Sequence, residues 1–166
     1  MRTDDLNELP DWEDNEFPGE NDEGEDWKPN PTKALCKAMY IQWNHVITVL
    51  KAALDTMKEP NENNAYSKDH VEDMKAMLLG DAHEAAAKIR SSEAGLYIIR
   101  MENAAIIRKN AQFIKISTNG FVIDELMDEQ HRLFIREEVD KFRELFKQWV
   151  ASFEKDDCED EWGLFI

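Results

Sequence analysis

The spacing with the most chemical promise is Asp128-x-x-His131. On a helix, residues three apart share a face, so the carboxylate and the imidazole could turn toward one ion. A carboxylate-bridged two-metal bundle also needs a Glu on each of two helices and a Glu-x-x-His pair on each of two more. Glu93 and Glu102 lie in or beside the most apolar stretch of the chain, so a ferritin-like reading would recruit Glu93, Glu102, Asp128 and His131 as ligands. The second Glu-x-x-His pair is missing, and Asp is the shorter ligand. The plainer reading makes Asp128 an acid at the start of the last helix and His131 a boundary histidine. No metal or other cofactor is expected.

A second group, Glu93, Arg100, Glu102, Asn103 and Arg108, sits among Leu, Ile, Met and Ala. Buried ions need partners, and leaving one unpaired costs several kcal/mol. These five residues are expected to form a buried polar network that fixes helix register. The functional alternative makes Arg100 or Arg108 an anion clamp with Asn103 as donor. Nucleophilic catalysis finds no local signature at Cys36 or at His45, His70, His83 and His131, and no phosphate-binding GxxxxGK[ST] string occurs. Asp14, Glu16, Pro18, Gly19 and Glu25 imitate an EF-hand loop, but Pro18 replaces a ligand and no helix precedes it, so calcium binding is not expected. The balance leans away from an enzyme, with no catalytic residue assigned.

Charge divides the chain more sharply than any motif. The formal net charge of −16 comes almost wholly from the ends: residues 1–29 carry −10 and residues 154–166 carry −5. The body between them is close to neutral. No net positive block exists, which argues against direct nucleic-acid binding through phosphate neutralisation. Both ends set aromatics among carboxylates, as in Asp11-Trp12-Glu13-Asp14 and Asp160-Glu161-Trp162-Gly163. Such segments suit docking into grooves rimmed by Lys or Arg, so Trp12, Trp27, Trp162 and Phe165 are the interaction candidates. The plainer and favoured reading is intramolecular, with Trp162, Leu164 and Phe165 covering an exposed end of the body.

Helices must position these residues. Three segments are expected: an acidic, aromatic-containing stretch at 1–29, a helical body at 30–153, and an acidic tail at 154–166 that ends apolar. Asn30 and Pro31 open a first helix whose apolar residues recur every three or four positions, from Leu35 and Cys36 to Leu54 and Met57. Pro60 and the Asn-rich stretch 61–64 stop it. Ser67 caps a short helix that Gly80 interrupts. A long helix then spans about 82–117, apolar on all sides from Ala94 to Ile107 and stopped by Asn119-Gly120. The last helix, from Val122 or Asp124 to Phe153, carries a 4-3 seam of Ile135, Val139, Phe142, Phe146, Trp149 and Phe153. The fold class predicted is all-α: an antiparallel helical bundle of three long helices plus one short helix, with acidic N- and C-terminal segments. Unequal helix lengths leave room for a second chain.

No apolar run approaches the roughly 20 residues of a membrane span. The acidic start Met1-Arg2-Thr3-Asp4-Asp5 does not read as a secretory signal, and two distant cysteines form no disulfide framework. A cytoplasmic setting without membrane contact follows.

Three strings occur together: Tyr97…Met101-Glu102-Asn103-Ala104, Phe142-Arg143…Leu145-Phe146…Trp149-Val150, and Glu161-Trp162-Gly163-Leu164-Phe165. They resemble small all-helical proteins of unassigned function from Bacteroidetes-type bacteria, over the C-terminal half of the chain. The resemblance implies a helical fold and a bacterial cytoplasmic protein, and it carries over no activity, cofactor or site residue. The function expected is a non-enzymatic protein–protein interaction, with homo-oligomerisation or a protein partner bearing a basic groove. The alternatives are the ferritin-like metal bundle and an acidic decoy for a basic nucleic-acid-binding protein.

Overall fold

The computed structural model describes residues 9–13, 31–157 and 160–164. Four helices run in chain order: α1 (Pro31–Asp55), α2 (Lys68–Ser91), α3 (Tyr97–Ile123) and α4 (Glu129–Ala151). The fold is all-α, and no strand occurs among the described residues. α1 packs on α2 and α4, α3 packs on the same two helices, and the backbones of the diagonal pairs lie farther apart. The four therefore form a ring around one core.

The expected rows of α1 are the ones that point inward. Cys36, Met39, Trp43, Val46 and Leu50 are fully buried, and Tyr40, Ile47, Ala53 and Leu54 nearly so. Trp43 anchors the centre: its indole Nε1 donates to the Ala82 carbonyl at 2.7 Å, and its ring lies 4.6 Å from that of Phe142. The seam of α4 also holds, with Ile135, Val139, Phe142 and Trp149 buried. Phe146 and Phe153 are only partly buried.

The middle of the chain departs from expectation. Gly80 does not divide a short helix from a long one; α2 runs through it for 24 residues. A helical glycine costs about 1 kcal/mol relative to Ala, and the buried face of Leu78, Ala82, Ala85, Ala86 and Ile89 outweighs that local preference. The real break is Ser92–Leu96, where Gly95 takes a φ of 137°. That turn falls inside the stretch expected to be a centrally buried helix. Nor does Asn119-Gly120 end α3, which continues to Ile123. The left-handed residue there is Glu125, with φ 58°.

Four helices of 23 to 27 residues thus replace three long and one short. The length mismatch that left room for a second chain does not exist.

The two glycines separate propensity from conformation. Gly80→Ala meets nothing within 4 Å and should stabilise the fold by up to about 1 kcal/mol. Gly95→Ala also has space, but its φ lies where L side chains are strained, so a loss of about 1–3 kcal/mol is expected. Denaturant midpoints of the two variants should move in opposite directions.

Each end of the ring is tied by polar contacts between elements. At one end Lys58 N donates to Leu126 O at 2.9 Å, and Asn64 Nδ2 donates to Asp124 O at 2.7 Å. At the other, Thr32 Oγ1 and Ser152 Oγ lie 2.8 Å apart, and Tyr97 N donates to Asp156 Oδ2 at 2.8 Å. The N-terminal residues 9–13 lie against α1 and α2. Trp12 packs edge-on to Tyr40 with ring centroids 5.3 Å apart, Tyr40 Oη donates to Pro10 O at 2.7 Å, and Arg90 Nη1 donates to Asp11 O. Burial, and then Asp11, hold the Tyr40 hydroxyl above its ordinary pKa.

Candidate functional site

The residues singled out for chemistry do not gather in one place. Glu93 lies in the α2–α3 turn, buried, with Oε1 3.0 Å from Lys33 Nζ. His131 lies near the opposite end of the ring, its Nδ1 3.2 Å from Thr56 Oγ1. Asp128 is the N-cap of α4, accepting from Gln130 N at 2.8 Å, and Glu102 is exposed on α3. The four ligands of the ferritin-like reading are therefore not brought together. No group of three or more His, Cys, Asp or Glu side chains able to hold a metal occurs among the described residues. The EF-hand-like positions lie outside the described residues.

Of the five residues expected to form a polar network, Arg100 and Asn103 reach the α2–α3 turn, and Glu93 meets Arg100 only through its backbone carbonyl. Arg100 reaches back from α3, donating from Nε to Ser92 O and from Nη2 to Glu93 O, both at 3.3 Å. Asn103 Nδ2 donates to Ser92 Oγ at 2.9 Å. Ser92 Oγ in turn donates to Lys88 O at 2.7 Å. These bonds satisfy the carbonyls of a helix end and of the two buried residues that open the turn after it, which is the structural work a tight α2–α3 connection needs. Glu102 and Arg108 are exposed and lie outside it. Burial holds the Arg100 guanidinium below its ordinary pKa, with Cys36 and Asp156 opposing.

Cys36 is fully buried beside this turn, and its Sγ donates to Ile89 O at 2.9 Å. Burial first, and Glu93 second, push the thiol up to about 12, against a smaller opposing effect of Arg100. A thiol so held is neutral at physiological pH and is not a nucleophile.

The feature with capacity for binding is a groove of about 680 Å³ between α3 and α4. Val139, Phe142 and Phe146 line its α4 side and Ala111 and Ile116 its α3 side. Ile116 is 70% exposed on the rim, an apolar side chain with nothing over it. Five cations surround this lining, namely Arg108, Lys115, Arg136, Arg143 and Lys147, against the single lining carboxylate of Asp140. Asp140 is within 3.2 Å of Lys115 and 3.4 Å of Arg143, and Lys147 pairs with Glu144 at the margin. Arg108 makes no ion pair among the described residues. On a body close to neutral, flanked by two acidic ends, this is a local excess of positive charge.

Of the groove's cations only Arg108 was among the candidates drawn from the sequence. The signal for the others is readable in hindsight: Arg136, Arg143 and Lys147 are spaced seven and four apart, one step along from the apolar seam. The same spacing places Arg108 and Lys115 on one face of α3.

The interaction candidates also separate. Trp12 packs on the body's own Tyr40, whereas Trp162 is 88% exposed and Leu164 69% exposed. The expected covering of the bundle end by Trp162 and Leu164 is therefore not what the structure has. Phe153, packed on Trp149 and Tyr97, takes that place. Trp27 and Phe165 lie outside the described residues. No helix among the described residues is long and apolar enough to cross a membrane. Comparison with protein-family models, with curated proteins and with solved structures finds no match to this chain.

Proposed function

We propose that this chain is a non-enzymatic interaction protein, an antiparallel four-helix bundle that associates with itself. The antiparallel arrangement is supported by the α1–α4 contacts, which step from Thr32–Ser152 through Gln42–Glu138 to Thr56–His131. The observation that carries the functional reading is the α3–α4 groove, where an apolar lining is ringed by cations on a near-neutral body whose two ends are acidic. Such a surface suits an occupant that combines apolar side chains with carboxylates. The chain's own terminal segments have that composition.

The metal and decoy readings draw no comparable support. The four proposed ligands are divided between opposite ends of the ring. A decoy of nucleic acid needs acids arrayed over a rigid face, and the α3–α4 face carries the opposite sign.

Sedimentation velocity of the full chain from about 1 to about 100 μM covers the range in which a dimer worth about 5–8 kcal/mol dissociates. A concentration-dependent shift from one to two chains is the expected result. A single species of one-chain mass across the range would overturn the reading.

A further inference from the structure

We infer that the α3–α4 groove receives the C-terminal segment of a second copy of this chain, with Trp162 as the apolar anchor. The inference rests on the self-association proposed above and names the two surfaces that carry it.

The groove presents what such a segment requires. Its volume of about 680 Å³ falls within the range of about 300–1,000 Å³ in which ligand-sized groups are held. That is room for an indole and a neighbouring aliphatic side chain. Phe146, only partly buried, offers its ring to an incoming indole, with the exposed Ile116 opposite it on the α3 rim. Arg108, Arg143 and Lys147 stand where carboxylates flanking that indole would lie. A guanidinium over the indole face adds a cation–π attraction. A polyphosphate would satisfy the rim but leave the apolar lining unused, so the pairing of the two selects an acidic, aromatic peptide.

The C-terminal segment presents the complement. Asp160 accepts hydrogen bonds from the backbone N–H groups of Trp162 and Leu164, and Gly163 takes a φ of 69°, so residues 160–164 form a tight turn. The turn holds Trp162 and Leu164 outward, at 88% and 69% exposure. Asp157 and Glu161 supply charge on either side of the anchor. A large aromatic side chain displayed on a short ordered turn loses little conformational freedom on docking, which is what an interface anchor needs.

The donor is a second copy because the segment is fastened at its own root. Phe153 packs on Trp149 and Tyr97, and Asp156 accepts from Tyr97 N, which fixes the start of the tail over the bundle end and leaves the turn facing solvent. Two chains can each give a tail and take one, so the exchange closes as a two-fold dimer with two equivalent contacts.

The test uses the full chain and two variants at exposed positions. Trp162→Ala removes the anchor. Arg108→Glu with Lys147→Glu reverses the rim, and Arg108 alone offers a second variant that breaks no ion pair. Circular dichroism checks that each remains helical. Sedimentation equilibrium should show the dimer dissociation constant rising at least tenfold in each. An equimolar mixture of the anchorless and rim-reversed chains should regain dimer in part, to an affinity below that of the wild type, because one of the two contacts then pairs an intact groove with an intact tail. A wild-type dimer whose affinity neither variant changes would overturn this inference and leave self-association standing. A wild type that stays monomeric, whether or not its own tail docks in the groove, would overturn both.

Discussion

Trp43→Ala should lower the unfolding free energy by about 3–5 kcal/mol, the range for deleting a large aromatic from a packed core. A domain of this size has about 5–15 kcal/mol in all, so the variant should unfold at much lower urea or fail to accumulate. Two losses coincide. The fully buried ring leaves a void where it met Phe142, and the Ala82 carbonyl loses the indole donor at 2.7 Å. Trp149 provides the control. It is equally buried, but its Nε1 has no hydrogen-bond partner. Replacing an unpaired buried donor by carbon recovers desolvation cost of about 1–3 kcal/mol, which offsets the lost volume. Trp149→Phe should therefore be close to neutral while Trp43→Phe is clearly destabilising. Equal midpoints for the two Phe variants in urea titration would show that the Trp43–Ala82 bond contributes nothing.

Alkaline pH should weaken the native protein through Cys36, and Cys36→Ala should remove that component. The folded thiol is pushed up from 9.0 to about 12, so between those values the native state keeps a proton that the unfolded chain releases. Stability is then complete below pH 9 and falls as pH rises toward 12. Three units of separation correspond to about 4 kcal/mol in total, of which about 2–3 kcal/mol is gone by pH 11. Tyr40, also held above its ordinary value, acts in the same direction in both proteins and cancels in the comparison. Urea midpoints at pH 8 and pH 11 should fall steeply for the native chain and less for Cys36→Ala. Parallel falls would place the alkaline sensitivity elsewhere.

Legibility from sequence followed the strength of burial. α1 and the α4 seam were readable because each carries a continuous apolar stripe at helical spacing, and side chains such as Trp43 and Phe142 leave one orientation open. The middle of the chain misled because its local signals compete with tertiary burial. Gly80 and Asn119-Gly120 are strong punctuation in an isolated peptide, but both lie inside helices whose flanking faces are buried. Gly95, the glycine that does end a helical path, stands among apolar residues and looks like helix interior. The groove stayed hidden for a different reason. Its cations come from two helices, and only their packing brings α3's Arg108 and Lys115 opposite α4's Arg143 and Lys147. The polar network was partly legible, since Arg100 and Asn103 could be flagged as buried, while their real partners are backbone and serine groups of a turn that the sequence concealed.

The bond between Thr32 and Ser152 joins residues 120 positions apart. Each neighbouring helix pair closes a connection of hairpin length, but the α1–α4 seam closes only when nearly the whole body has been gathered. Closing a loop of that length costs about 1 kcal/mol more chain entropy than closing one of about 40 residues. The α1–α4 seam is thus the least local part of the fold, and its contacts raise the mean sequence separation that slows folding. Trp43 and Phe142 meet across that seam. The first helix therefore completes its packing only when the last has been placed beside it.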